Sequence, residues 1–197
     1  HAAGELGTSQ VRHMATVGGN TCKASPAGET PTPLVALGAK VVLSSASGER
    51  ELPLEDFIIG VRKLDLKEGE ILTKYILPEP APRSASRYAY MGKRDAVEID
   101  SVNMAVNLVL DNDGETIKGL KLVMGSVSPR PLVSKEVPAL LIGKKLSDEL
   151  LEKAAEAARG EAKPISDIRA SAEYRREIVG VLARRLLKEA YAAAKGV

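Results

Sequence analysis

Thr16-Val17-Gly18-Gly19-Asn20 is the stretch whose residue types and spacing could do chemistry. Two adjacent glycines permit positive φ angles, which turn successive backbone N–H groups to one side. A concave run of such donors favours an anion, commonly a phosphate. Thr16, Asn20 and Ser25 would add side-chain donors, and Lys23 positive charge. The stretch lacks the Gly-Lys-Ser/Thr ending of a Walker loop. It also lacks the third glycine and the flanking strand and helix of a Rossmann fingerprint. A bare Gly-Gly-Asn is more often the mark of a plain surface turn, so the glycines alone do not decide for a phosphate.

Other reactive residue types carry less. Glu98 and Asp100 flank Ile99 and could share a strand face, but charged side chains at such spacing point to a solvated edge. Arg175-Arg176 and Arg184-Arg185 could bind an anion, but they fit better the polar face of a helix or a contact with a partner subunit. Cys22 has no evident base beside it and reads as a small buried residue rather than a nucleophile. His13 reads as structural, because one histidine makes neither a triad nor a metal site.

Composition narrows the classes further. The 197 residues suffice for one large domain or two small ones. Hydrophobic residues make up 44% and aromatics only 3%, so the core must rest on Leu, Val, Ile and Ala. A net charge of +2 and few stacking aromatics argue against nucleic acid. One cysteine and two histidines exclude an internal disulfide, an iron–sulfur cluster held by this chain and a Cys-rich zinc site. No apolar run reaches the roughly 18 residues of a membrane helix, and no signal peptide opens the chain. The expected setting is cytoplasmic and reducing, with no membrane partner.

The elements that must position these residues follow from punctuation and periodicity. Glycines and prolines from Gly18 to Pro33 predict loops rather than a long helix. Leu34 to Leu37 predicts a helical turn stopped by Gly38, and Ala39 to Leu43 a strand returning over Arg50 to Leu52. Pro53 starts a short helix ending near Gly60, and Glu70 to Leu77 is a strand. Pro78, Pro80 and Pro82 mark the best domain boundary. Beyond it come strands over Arg87 to Lys93, Val102 to Leu110 and Thr116 to Met124, the last two joined at Asp111-Asn112-Asp113-Gly114. A helix capped by Ser147 and ended by Gly160 follows. A final helix spans about Ser171 to Ala194, with Tyr174, Ile178, Leu182, Leu186 and Ala190 on one face. Helices following an antiparallel sheet predict an α+β architecture.

The blocks taken together resemble a known family. Gln10 to Asn20 and Ala24-Ser25-Pro26-Ala27-Gly28-Glu29-Thr30-Pro31 are similar to the FAD-binding segment of molybdenum hydroxylase flavin subunits, the xanthine dehydrogenase and carbon monoxide dehydrogenase type. Pro53 to Phe57, Gly60 to Lys63 and Gly69 to Leu72 resemble its next block. Lys93 to Ile99, Gly125 to Pro131 and Ala170 to Arg176 resemble its C-terminal domain. The matches run in order over nearly the whole chain.

The resemblance implies the second lobe of a PCMH-type FAD-binding domain over residues 1–80. A CO dehydrogenase flavoprotein-like C-terminal domain, a three-stranded antiparallel sheet with helices, would follow over 83–197. It implies pyrophosphate contacts from Thr16, Val17, Gly18, Gly19 and Asn20, further FAD contacts from Ser25 and Glu29, and an apolar wall from Leu72. It implies an oxidoreductase subunit that passes electrons from iron–sulfur clusters to an external acceptor through FAD, with no catalytic residue of its own. The partners implied are a molybdenum-cofactor large subunit and a 2Fe–2S small subunit. The family's earlier FAD lobe has no counterpart in this chain. The expectation is therefore weak FAD binding alone, no activity alone, and a separate chain carrying that lobe. A cofactor-free assembly module is the alternative. Tyr90 stands where some relatives place a lysine reaching the flavin, with Lys93 nearby.

Overall fold

The computed structural model describes residues 1–94 and 97–196. Asp95 and Ala96, inside the Lys93-to-Ile99 block, and Val197 lie outside the described residues.

The glycine- and proline-rich opening folds as four short helices: α1 (Ala2–Glu5), α2 (Ser9–Met14), α3 (Val17–Cys22) and α4 (Pro31–Ala36). Each begins where its residues allow. Thr8 and Thr16 cap α2 and α3, and α4 has Pro31 in its first turn, where the missing N–H costs nothing. Gly38, at φ 76°, stops the chain after α4 as expected. β1 (Lys40–Ser45) and β2 (Gly48–Pro53) form a hairpin, and β5 (Ile71–Ile76) pairs along the other edge of β1, giving the order β2-β1-β5. Between them lie α5 (Leu54–Phe57) and a small hairpin of β3 (Ile58–Gly60) and β4 (Lys63–Leu64). The helix after Pro53 therefore stops at Phe57 rather than near Gly60, because Ile58 turns extended and pairs with Leu64.

After the proline link, β6 (Ser84–Met91), β7 (Val102–Leu110) and β8 (Ile117–Gly125) form an antiparallel meander, extended by the two-residue β9 (Leu132–Val133). The turn before β8 is held by Asp113, whose carboxylate accepts from the amides of Glu115 and Thr116, with Gly114 at φ 70°. Then come α6 (Glu136–Leu141), α7 (Asp148–Glu161) and α8 (Ala172–Lys195). Gly160 does not end α7. Its last turn is pinned by Glu161, whose carboxylate accepts from Ser134 and from the amides of Lys135 and Glu136 at the start of α6.

The pleat of β7 divides two cores, since successive side chains point to opposite faces. Met104, Val106 and Leu108 pack with Leu122 and Met124 against Leu182, Leu186 and Ala190 of α8. Ala105 and Val123, on the other face, pack with Val35, Ala36, Val41 and Leu43 from before the proline link. The sheet is thus covered on both faces, and one of the two cores is shared across the link.

α8 departs from its predicted faces at two positions. Tyr174, expected on the apolar stripe, is 47% exposed. Arg175, expected on the polar face, is 1% exposed. Its guanidinium donates to the Ser126 carbonyl at 3.1 Å and pairs with Asp167. Buried charge is tolerated where it is paired and hydrogen-bonded. Arg184, by contrast, stays on the surface and pairs with Glu152.

Candidate dinucleotide site

Gly18 and Gly19 do not take positive φ angles; they form the first turn of α3. The donors that the sequence suggested are therefore helical amides, not those of a left-handed turn. Thr16 sets this geometry. Its Oγ1 accepts from the Gly19 amide at 2.8 Å, which caps the helix. A Cβ at Gly19 would lie 3.0 Å from that Oγ1, closer than the cap tolerates without shifting. The amides of Val17 and Gly18 have no intrahelical partner, as at any helix start. A threonine three residues before the capped amide was the available signal, and the two glycines obscured it.

The second half of the loop is tied back to the first. Asn20 donates through Nδ2 to Glu29 at 3.2 Å, and its Oδ1 accepts from the Thr30 hydroxyl at 2.6 Å and from the Thr30 amide at 3.3 Å. Asn20 thus braces the loop, with one amide hydrogen still available. Glu29 is buried at 9% exposure. Leu72 stands beside the glycines: its Cδ2 would be 3.8 Å from a Cβ at Gly18. Tyr75, also on β5, donates to the Val17 carbonyl at 3.4 Å.

Thr16, Val17, Asn20 and Thr30 line a cleft of about 190 Å³, whose opposite wall includes Leu6 and Arg12. Arg12 is fixed by donating to the carbonyls of Leu6 and Gly7 at 3.0 and 2.9 Å. Sequence reasoning did not single out Arg12 or Thr30. Unpaired amides, a hydroxyl and a guanidinium around one cleft fit a phosphate-type anion. The volume takes that part of a dinucleotide and not the whole, since pockets for larger ligands run to roughly 300–1,000 Å³.

Comparison with known proteins settles the family. Residues 1–80 match the FAD binding domain in molybdopterin dehydrogenase, and residues 86–190 match the CO dehydrogenase flavoprotein C-terminal domain. The chain is 36% identical over 189 residues to the glyceraldehyde dehydrogenase medium chain of Sulfolobus acidocaldarius, covering 96% of this chain and 66% of that one. It is 31% identical to the carbon monoxide dehydrogenase medium chain of Afipia carboxidovorans, over 94% of this chain and 64% of that one. Reconstituted CO dehydrogenase from Oligotropha carboxidovorans superposes with a TM-score of 0.88 at 28% identity, over 95% of this chain and 65% of that one.

The chain belongs to the FAD-binding medium subunits of the molybdenum hydroxylases. It spans about two thirds of the length of the medium chains it matches.

In this medium subunit the site residues expected from sequence divide between two places. Thr16, Val17, Gly18, Gly19, Asn20, Glu29 and Leu72 gather around α3. Ser25 does not join them. It lines a second cleft together with Ser126 and Lys163 of the later half. Tyr90 donates to Glu5 at 3.0 Å, and Lys93 donates to the Ile168 carbonyl at 2.6 Å.

Behind the loop lies a buried polar chain that the sequence reading put at a solvated edge. Asp100 is 2% exposed, and residues 98–100 lie in the irregular segment before β7 rather than on a strand. Its Oδ2 accepts from the Tyr88 hydroxyl at 3.2 Å and from Asn103 Nδ2 at 2.9 Å. Asn103 in turn accepts from the Thr32 hydroxyl at 2.7 Å, across the two halves of the chain. Gly125 makes room for this contact, since a Cβ there would sit 2.0 Å from Asn103 Oδ1. Burial pushes the Asp100 carboxyl up to about 7, helped by the charge of nearby Glu29 and opposed by its hydrogen bonds. Burial and the neighbouring Asp100 also hold the Tyr88 hydroxyl well above its ordinary range.

Proposed function

We propose that the chain is the FAD-binding electron-transfer part of a molybdenum-containing hydroxylase or dehydrogenase. It would receive electrons from the iron–sulfur clusters of a 2Fe–2S small subunit and pass them to an external acceptor. The substrate would be oxidised at a molybdenum-cofactor large subunit, in the cytoplasm. FAD, when bound, supplies the electron-carrying chemistry, and the protein supplies binding and electrostatics.

The observation that carries this reading is the capped start of α3 opening beside the Arg12 guanidinium. The amides of Val17 and Gly18, with the Thr16 hydroxyl and Arg12, would hold the pyrophosphate. Leu72 would provide an apolar wall next to Gly18. Glu29 and Asn20, hydrogen-bonded to each other, would set the shape of the loop and meet the ribose side. Exposed apolar side chains around the cleft, Val11 at 51%, Met14 at 88% and Val17 at 42%, favour a further protein layer there. A first lobe of the FAD-binding domain would supply it. This half-site reading makes the isolated chain a weak FAD binder and inactive by itself.

An NMR titration of the full chain with FAD and with ADP tests it. Both share the pyrophosphate, so both should shift the amides of Val17, Gly18 and Gly19, and Arg12→Glu should weaken both. Shifts confined to other residues, or none at these amides with either ligand, would remove the assignment.

A further inference from the structure

The second cleft, about 240 Å³, lies between the 25–27 loop and the segments that follow β8 and α7. Three cations line it: Lys163, Arg169 and Arg175. One carboxylate, Asp167, serves two of them, pairing with Arg169 at 2.6 Å and with Arg175. Lys163 is exposed and has no ion-pair partner among the described residues. The group therefore carries an excess of two positive charges, three against one. Burial raises the Asp167 carboxyl, yet the hydrogen bonds from Arg169 and Arg175 outweigh it and hold it well below the usual carboxylate range.

The deepest cation is incompletely satisfied. Arg175 is 1% exposed, and its Nε–H is buried without an acceptor, while its other nitrogens bond Ser126 and Asp167. A buried donor left unpaired costs about 1–3 kcal/mol, more for a charged group. Ser128, on the same cleft, offers a hydroxyl, and Ser25 accepts from the Ala27 amide and keeps its own proton free to donate. The remaining walls are apolar, from Pro26, Val61 and Ile165. Ser126, held at φ 65°, locks the junction: its amide donates to the Pro26 carbonyl at 2.8 Å.

We propose that this cleft binds a small monocarboxylate with an apolar body. The carboxylate would face Lys163, Ser128 and the Arg175 end of the cleft, and the apolar body would lie against Val61 and Ile165. A dianionic phosphate would match the charge but leave the apolar walls facing water. The inference is independent of the FAD assignment, because it uses none of the α3 amides.

The probe is benzoate, titrated into the full chain and followed by amide NMR, with benzamide and inorganic phosphate as controls. Benzoate should give saturable shifts at Ser126, Ser128 and Lys163, with weaker binding of both controls. Arg175 also anchors the fold, so the variant is Lys163→Gln at an exposed position, expected to raise the Kd about tenfold. Benzamide or phosphate binding as tightly as benzoate, shifts that do not saturate, or an unchanged Kd in Lys163→Gln would overturn it. FAD shifting the same amides and competing with benzoate would overturn it too, assigning the cleft to the dinucleotide.

Discussion

At the scale of single residues, Asp100 makes the sharpest demand on the structure. Its carboxyl titrates near 7 in the fold against an ordinary value of 3.8, with burial the main cause. The folded value lies above the unfolded one, so the fold favours the neutral acid. That contribution is fully present below the unfolded value and is lost as pH rises through about 7. At about 1.4 kcal/mol per unit, the ceiling is on the order of 4 kcal/mol. Asp100→Asn cannot ionise and keeps an oxygen for Tyr88 and Asn103. Its stability relative to the parent should therefore rise between about pH 5 and about pH 8. Chemical denaturation at the two pH values measures this, and a constant difference would show that Asp100 is not buried as an acid. Thr16 and Gly19 teach the complementary lesson about legibility. The residue types for the proposed anion cradle were readable, but the conformation of the stretch was not. A glycine pair permits left-handed turns without requiring them, and the Thr16 cap decides for a helix.

At the scale of elements, legibility followed periodicity. β7 was readable to its end residues, since Val102 to Leu110 is a largely apolar run that ends at the Asp111 turn, and the fold buries it on both faces. α7 and α8 were readable because Ser147 and Ser171 cap them and their apolar residues repeat at helical spacing. Two-residue strands such as β4 and β9 have no period to read; pairing with a neighbour creates them. The polar assignment of Arg175 failed for a related reason. A helical wheel places an arginine outward, and only the loop carrying Asp167 and Ser126 gives it partners inside. The revised faces of α8 predict unequal responses. Leu182→Ala, at 1% exposure against the β7 sheet, should cost roughly 2–5 kcal/mol. Tyr174→Ala, at 47% exposure, should stay within about 0.5 kcal/mol. Urea titrations of the two variants check the pair, and comparable losses would mean that the apolar stripe had been placed correctly from sequence alone.

At the scale of the molecule, the proline link separates two family matches but not two independent cores. Residues 1–80 and 86–190 match different domain models. Yet Ala105 and Val123 lie in the same buried cluster as Val35, Val41, Leu43 and Phe57. Polar contacts reinforce this seam: Thr32 to Asn103 at 2.7 Å and the Ser126 amide to the Pro26 carbonyl at 2.8 Å. Asn103 is fully buried, so separating the halves would leave it and Asp100 facing water from positions shaped for each other. Unfolding of one half strips apolar cover from the sheet of the other. The chain should accordingly lose both halves in one cooperative transition. With no tryptophan present, Tyr75 reports on the first half and Tyr191 on the second. Variants that leave only one of these tyrosines emissive should give coincident urea midpoints. Separated midpoints would mean that the shared core contributes little and that the link divides two independently stable bodies. A single midpoint that shifts in both reporters on Ala105→Asp would place the coupling in that seam, because the new carboxylate would be buried among Val35, Val41 and Leu43.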